Sequence, residues 1–188
     1  EANLSGAYLN RANLSKANFK NANLSGAGLN NITTKNTNFM FANLSNSRIT
    51  ERNPKDKERC CQVSATFRNA NLTSVDWGWD SYEAFIPTLA SLLEGLDFRG
   101  ANLTGTSLVG AYLTGADFTG AIFRNVDISG AQIRNANFTA VDLSQTEMQK
   151  VSFKEVFLCG TIMPWGKDDS GCSIKIEKPK TDMDDFDL

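Results

Sequence analysis

The sequence predicts an all-β solenoid built from square coils, and three features of a five-residue repeat support this prediction. The repeat covers most of the chain, each quintet has a large apolar residue at one position, and a small residue stands two positions earlier. A period of five matches neither the 3.6 of a helix nor the 2.0 of a strand, so the chain must turn once in every quintet. Four quintets then close a square coil of about 20 residues with the large and small side chains inside.

The large position, which we call the centre of a quintet, recurs 27 times in three runs. Every centre except Thr34 is a large apolar residue, and in that quintet the large residue has moved to Ile32. The centres are Leu4, Leu9, Leu14, Phe19, Leu24, Leu29, Thr34, Phe39, Leu44, Ile49, Phe67, Leu72, Trp77, Phe98, Leu103, Leu108, Leu113, Phe118, Phe123, Ile128, Ile133, Phe138, Leu143, Met148, Phe153, Leu158 and Met163.

The small position holds 15 Ala and 10 Val, Thr or Ser, with Ile32 and Leu96 as exceptions. A strict small position together with a strict large one indicates a closely packed interior. Residues 20 positions apart are then expected to lie above one another in successive coils. The predicted core ladder consists of two stacks of aromatic rings, Phe19 with Phe39 and Phe98 with Phe118 and Phe138.

The remaining positions of the quintet are polar and are predicted to face outward. Asn or Asp precedes many centres, as at Asn3, Asn23 and Asp117, and these side chains hydrogen-bond the local backbone at turns. Gly ends many quintets, as at Gly100 and Gly120, where a corner requires positive φ. Both preferences indicate a turn at every quintet boundary.

The run Ala-(Asn/Asp)-(Leu/Phe)-X-X resembles the repeat of the pentapeptide repeat family, and the resemblance extends over about 27 quintets. It implies a right-handed quadrilateral β-helix. It is a resemblance to a family with many cyanobacterial and plastid members, and it does not imply a single activity.

Two interruptions and a C-terminal segment divide the repeat. The predicted organisation is repeat coils at 1–51, 65–77 and 96–163, a loop insertion at 52–64, a helical insertion at 78–95 and a non-repeat segment at 164–188. The second interruption has a capping box at Asp80 and Glu83, apolar residues at helical spacing between Ile86 and Leu93, and Gly95 at its end. We therefore expect one short amphipathic helix there.

The predicted helix has two interpretations. It covers an exposed coil edge, as solenoids require caps, or it docks a protein partner. The second interpretation makes the aromatic residues beside it, with one acidic neighbour, the candidate interaction surface: Trp77, Trp79, Tyr82 and Glu83.

The four cysteines set expectations about redox state. Cys159 directly follows the centre Leu158 and Cys172 comes 13 residues later, so a disulfide between them would tie the C-terminal segment to the last coil. Cys60 and Cys61 are interpreted as buried thiols or a redox-sensitive thiol. The spacing does not fit a four-thiolate zinc site. If the disulfide forms, the expected location is a periplasm or thylakoid lumen, and if it does not, the cytoplasm.

Composition argues against most enzyme designs. The chain has no His, which removes Ser-His and Cys-His nucleophile pairs and His-ligated metals. We expect no enzyme activity, no cofactor and no metal. The acidic C-terminus has two interpretations, a solvated tail or a Ca²⁺ site. The candidate ligands of the Ca²⁺ site are Asp182, Asp184, Asp185 and Asp187. The sequence contains no run of about 18 apolar residues, so we expect no membrane insertion.

The predicted function is a structural or protein-interaction module with an unidentified protein partner, acting as a monomer or weak dimer. The small net charge of −2 does not indicate a nucleic-acid ligand. One alternative is a DNA-mimicking inhibitor or protector of a type II topoisomerase, a role that the family resemblance implies for some members. That role requires an acidic rod, whereas residues 1–50 carry a net charge of +4. A second alternative is an enzyme with its site at the helical insertion.

Overall fold

The computed structural model describes residues 2–51, 65–75, 77 and 93–172. The described chain winds as a β-helix whose successive coils pair in parallel, as the repeat predicts. Four strands have more than one paired residue: β1 (Gly28–Ile32), β2 (Arg48–Glu51), β3 (Thr161–Met163) and β4 (Gly166–Asp168). Strand β1 pairs with β2 in parallel, and β3 pairs with β4 antiparallel.

Most of the other contacts between coils are single parallel bridges between outer residues 20 positions apart. Asn3 bridges to Asn23, which bridges in turn to Asn43. The amide of Leu4 donates to the carbonyl of Asn23 at 2.7 Å, and the amide of Asn23 donates to the carbonyl of Ala2 at 2.9 Å. Each short side of the square coil is therefore fixed to the next coil by backbone hydrogen bonds in both directions.

The corners between sides are tight turns that close on the centre residue. In the first coil the amide of Ala7 donates to the carbonyl of Leu4 at 3.0 Å, and Gly6 between them has a φ of 66°. The same corner position has positive φ at Gly120 and also at Ala140, where φ is 57°. The predicted need for positive φ at corners is confirmed, but residues other than Gly also satisfy it.

The Asn residues before the centres stabilise the start of each turn. The Oδ1 atom of Asn13 accepts a hydrogen bond from the amide of Ser15 at 3.0 Å, and Asn18 accepts one from the amide of Lys20 at the same distance. Asp117 makes the equivalent contact with Thr119. These bonds satisfy an amide that the turn leaves without a backbone partner, which explains the preference for Asn and Asp at this position.

Six Phe rings form one continuous ladder along the fourth side of the coils, the side that contains Phe19 in the first coil. Neighbouring ring centroids lie 5.0 to 5.4 Å apart and the rings are nearly parallel. The sequence predicts two separate stacks, and the structure joins them through Phe67. The order is Phe19, Phe39, Phe67, Phe98, Phe118 and Phe138.

The described coils before and after both interruptions are paired in register. Asn43 bridges to Asn71, 28 positions later, and Thr66 bridges to Asp97, 31 positions later, in place of the usual 20. The parallel pairing of the described sides therefore continues across both interruptions. The loop insertion at 52–64 and most of the predicted helix, residues 78–92, lie outside the described residues.

The last residues of the second interruption, Leu93 to Gly95, pack against the next coil. Leu93 is buried, Gly95 has a φ of 65°, and the amide of Gly95 donates to the carbonyl of Thr114 at 2.9 Å. Leu93 is thus the centre of a quintet and Gly95 is a coil corner. The positive φ of Gly95 fits both a helix end and a quintet corner, and most of the predicted helix lies outside the described residues, so the helix boundary at Gly95 stays a prediction.

The described part of the C-terminal segment covers the last coil. Strand β3 belongs to the final quintet, and β4 turns back to pair with it. The amide of Gly171 then donates to the carbonyl of Leu158 at 2.8 Å. A Cβ atom at Gly171 would lie 2.6 Å from the Leu158 amide nitrogen, so only Gly permits this close approach.

Candidate functional site

The interior of the described coils is occupied by their own side chains. The centres Phe98, Leu103 and Phe118 and the small residues Ala101 and Ala116 are fully buried. Because the inward positions are used for packing, a binding surface has to be built from the three outward positions of the quintets.

The structure changes the role of one residue in the predicted interaction surface. Trp77 is only 8% exposed, and its ring packs edge-on against Phe67 at 5.8 Å and Phe98 at 6.3 Å. Its placement on an interaction surface is therefore wrong, since it is a core centre beside the Phe ladder. The other members, Trp79, Tyr82 and Glu83, lie outside the described residues.

The C-terminal disulfide is the second feature that the sequence singles out. Cys159 and Cys172 are joined in the structure, with their Cα atoms 4.6 Å apart. The carboxylate of Asp169 lies beside them: its Oδ1 accepts from the amide of Gly160 at 2.8 Å, and its Oδ2 is 2.9 Å from Lys167 Nζ. The hydrogen bond from Lys167, followed by that from Gly160, lowers the pKa of Asp169. Cys60 and Cys61 lie outside the described residues.

Four exposed cations lie on the first two coils, and we call them the basic cluster: Arg11, Lys16, Lys20 and Lys35. The amide of Lys16 donates to the carbonyl of Lys35 at 2.8 Å, so these two lysines are neighbours on adjacent coils. No acidic residue occurs between positions 2 and 50. Over the described ranges, none of the four cations forms an ion pair with a carboxylate.

The fourth side of the middle coils shows the opposite arrangement. Arg99 binds both carboxylate oxygens of Asp97, at 2.8 and 2.6 Å, and its Nε is 3.8 Å from Asp117. Arg68 lies 4.0 Å from the same Asp97 carboxylate. Asp97 is one of the acidic residues near the second interruption, and its ion pairs make it a structural group rather than a free general base.

A ladder of Asn side chains runs along the first side of the coils, the side that contains Asn3. From the sequence, these residues were predicted only to form turns. Each amide Nδ2 donates to the Oδ1 of the preceding coil, at 3.3 Å from Asn23 to Asn3, 3.3 Å from Asn43 to Asn23 and 3.1 Å from Asn71 to Asn43. The recurrence of Asn at positions 3, 23 and 43, each 20 apart, was the signal available in the sequence. This side of the first coils carries no charged residue, so the basic cluster lies on the other sides.

Comparison with known proteins identifies the repeat. A family model described as Pentapeptide repeats matches eight copies at residues 1–33, 96–132 and 127–163, which together make up more than half of the chain. No curated protein sequence matches the chain. Within the described ranges, no helix is long and apolar enough to cross a membrane.

Three solved structures illustrate the similarity. HetL from Nostoc sp. strain PCC 7120, involved in heterocyst differentiation regulation, is 24% identical over 89% of this chain and 74% of its own, with a TM-score of 0.29. A pentapeptide repeat protein from the Arabidopsis thaliana thylakoid lumen is 21% identical over 77% and 63%, with a TM-score of 0.32. Full-length QnrB1, a plasmid-mediated fluoroquinolone resistance protein, is 21% identical over 91% and 82%, with a TM-score of 0.29. The match of the family model over more than half of the sequence shows that the chain belongs to the pentapeptide repeat family, and its fold is the right-handed β-helix of that family.

Proposed function

We propose that this protein is a non-enzymatic interaction module and that its basic cluster binds an acidic surface of a protein partner. The observation that carries the proposal is the set of four exposed cations on the first two coils without a carboxylate among residues 2–50. The filled interior supports the same conclusion, because it leaves the outer faces as the place where another molecule binds.

The electrostatics of the cluster favour an anionic partner. Lys16 and Lys35 are like charges on adjacent coils, and like charges at such positions repel each other. An acidic partner removes this repulsion when it binds, and its attraction to the cluster raises the association rate. By contrast, the cations around Asp97 are already neutralised within the chain.

The residues Trp79, Tyr82 and Glu83 form a second contact in this proposal, based on their sequence alone. An oxidising location such as a periplasm or thylakoid lumen accords with the disulfide between Cys159 and Cys172. The charge of the first coils argues against the topoisomerase alternative, because a mimic of DNA needs regularly placed acidic groups on its surface.

The proposal is tested by charge reversal with a matched control. The tagged wild type, the Lys16→Glu/Lys35→Glu variant and a control Arg124→Glu/Lys150→Glu variant are used to capture partners from an extract of the source cells at low salt. All four positions are exposed and lie outside the interior, so each variant should unfold at the same denaturant concentration as the wild type. Purified captured proteins are then retested for direct binding.

The expected result is that at least one partner with an acidic surface binds the wild type and the control directly, and loses at least tenfold in affinity for the Lys16→Glu/Lys35→Glu variant. Its affinity should also fall as salt is raised. Equal binding of every partner by the two double variants would contradict a role for the basic cluster, as would partners whose binding does not depend on salt.

A further inference from the structure

The strongest unassigned chemistry in the described chain lies beside the C-terminal disulfide. One ligand atom each from Cys159, Asp169 and Cys172 lies within 4.8 Å of the other two. Elsewhere in the described ranges, no other group of three such residues meets the same distance. This position is independent of the basic cluster, which lies on the first two coils.

We propose that Cys159, Cys172 and Asp169 form a site for a thiophilic divalent cation of the Zn²⁺ class, which opens only when the disulfide is reduced. In the disulfide the two sulfurs are neutral and bonded to each other, so the carboxylate is the one strong ligand. Reduction by a dithiol donor transfers two electrons and two protons to the disulfide and oxidises the donor to its own disulfide. Binding of the cation then displaces both thiol protons and leaves two thiolate ligands.

The geometry suits such a cation. Tetrahedral Zn²⁺ binds sulfur at about 2.3 Å and carboxylate oxygen at about 2.1 Å, which places neighbouring ligand atoms about 3.5 to 3.8 Å apart. Asp169 Oδ1 is already 3.6 Å from Cys172 Sγ. After reduction the two sulfurs need only move apart by side-chain rotation, while the Gly171 to Leu158 backbone hydrogen bond holds the segment against the coil.

The surrounding groups orient the third ligand and balance the charge. The amide of Gly160 holds Asp169 Oδ1 at 2.8 Å, and Lys167 Nζ lies 2.9 Å from Oδ2. A divalent cation with two thiolates and one carboxylate has a net charge of −1, which the ammonium of Lys167 neutralises. Asp169 and Cys172 are exposed, so the cation can enter from solvent and a water can occupy the fourth position.

The test uses the full chain with Cys60→Ser and Cys61→Ser, so that Cys159 and Cys172 are the remaining thiols. Co²⁺ is the probe, because a thiolate ligand produces a charge-transfer absorption and a tetrahedral site produces strong visible bands. The protein is titrated in the disulfide form and after reduction by a phosphine, and Zn²⁺ is then added to displace the Co²⁺. Circular dichroism checks the fold of each variant before titration.

The reduced protein should bind one Co²⁺ with thiolate absorption and release it to Zn²⁺, and the disulfide form should show no such absorption. Asp169→Asn should weaken binding at least tenfold. The matched control is Asp168→Asn, since the Asp168 carboxylate accepts from the amide of Ser170 and is outside the group of three. That control should bind as the parent does.

A further variant separates loss of a ligand from loss of structure. Asp169→Cys replaces the carboxylate by a thiolate, so it should bind at least as tightly as the parent although it loses the contacts with Gly160 and Lys167. The proposal is overturned if the reduced parent shows no thiolate absorption, if Asp169→Asn and Asp168→Asn bind equally well, or if Asp169→Cys is as weak as Asp169→Asn.

Discussion

The first coils, residues 2–51, and the last coils, residues 93–163, follow the same backbone path with different outer chemistry. On the fourth side, the first two corners are Asn21 and Phe41, whereas Gly occupies the equivalent corner at Gly120. The first coils carry the basic cluster, whereas Arg99 in the last coils is paired with Asp97. The difference teaches that the inward positions determine the fold and leave the outward positions free to vary in charge.

The two regions also differ in how completely their core residues are buried. Phe118 is fully buried between Phe98 and Phe138, with ring centroids 5.0 Å away on both sides. Phe19 is half-buried and stacks on Phe39 alone. The same residue type at the same quintet position is therefore expected to contribute more to stability in the last coils.

Replacing Phe118 or Phe19 by a charged residue should give the largest change in the free energy of unfolding. Phe118→Arg places a guanidinium in the middle of the ladder, where neither water nor a carboxylate can solvate it, and should cost more than about 4 kcal/mol in the free energy of unfolding. Phe19→Arg should cost about 1 to 2 kcal/mol, because the longer side chain can reach water from the first coil. Urea unfolding followed by far-ultraviolet circular dichroism measures both.

Equal losses for the two Arg variants would contradict the difference in burial between the two ends of the ladder. Phe118→Leu is the control for ring loss without charge, and it should retain a cooperative transition. Unaltered unfolding of Phe118→Arg would overturn the assignment of Phe118 to the interior.

Replacing corner residues should change the free energy of unfolding by a smaller amount. Replacing Gly by Ala at one corner and Ala by Gly at the same corner of the next coil should have opposite effects. Gly120 and Ala140 occupy the same corner one coil apart, with φ of 65° and 57°. The left-handed conformation costs a residue with a Cβ atom about 1 kcal/mol relative to Gly. Gly120→Ala should therefore lose about 1 kcal/mol of unfolding free energy, and Ala140→Gly should gain about the same amount.

The corner of the first coil extends this comparison. Asn21 has a φ of 60°, and Asn tolerates this region better than Ala does. Asn21→Gly should therefore gain less than Ala140→Gly when both are measured by urea unfolding. A loss of stability on changing Ala140 to Gly would show that the corner conformation does not limit stability.

The sequence alone predicted the parts of the fold that follow from the period. The inward positions, the turn at each quintet and the stacking of Phe98, Phe118 and Phe138 depend on spacing, which needs no knowledge of contacts. Phe67 was recognised as a centre but not as the link between the two stacks. The interruptions change the spacing between coils from 20 to 28 and 31, and the sequence does not show whether the chain returns in register.

Other features needed the three-dimensional arrangement. Trp77 satisfied two patterns, being five residues after Leu72 and also close to Trp79, and the sequence did not decide between core and surface. Leu93 likewise fitted both helical spacing and the quintet. The charge of +4 in residues 1–50 was visible, but the contact of Lys16 with Lys35 required the register of the coils.

The central claim is that one β-helix continues in register across both interruptions, so that the outer faces of the first and last coils belong to one surface. Asn71 and Asn102 test it most directly, because they are bridged across the second interruption and separated by 31 positions in sequence. Asn71→Cys and Asn102→Cys are introduced together with Cys60→Ser and Cys61→Ser. A control carries Asn71→Cys with Ser107→Cys, which lies on the next side of the coil.

After mild oxidation, intact mass and peptide mapping report which new disulfide forms. We expect a link between positions 71 and 102 in the first variant and none between positions 71 and 107 in the control. Two results would contradict continuous register across the interruption: a disulfide between positions 71 and 107 in the control, or no disulfide between positions 71 and 102 in the first variant.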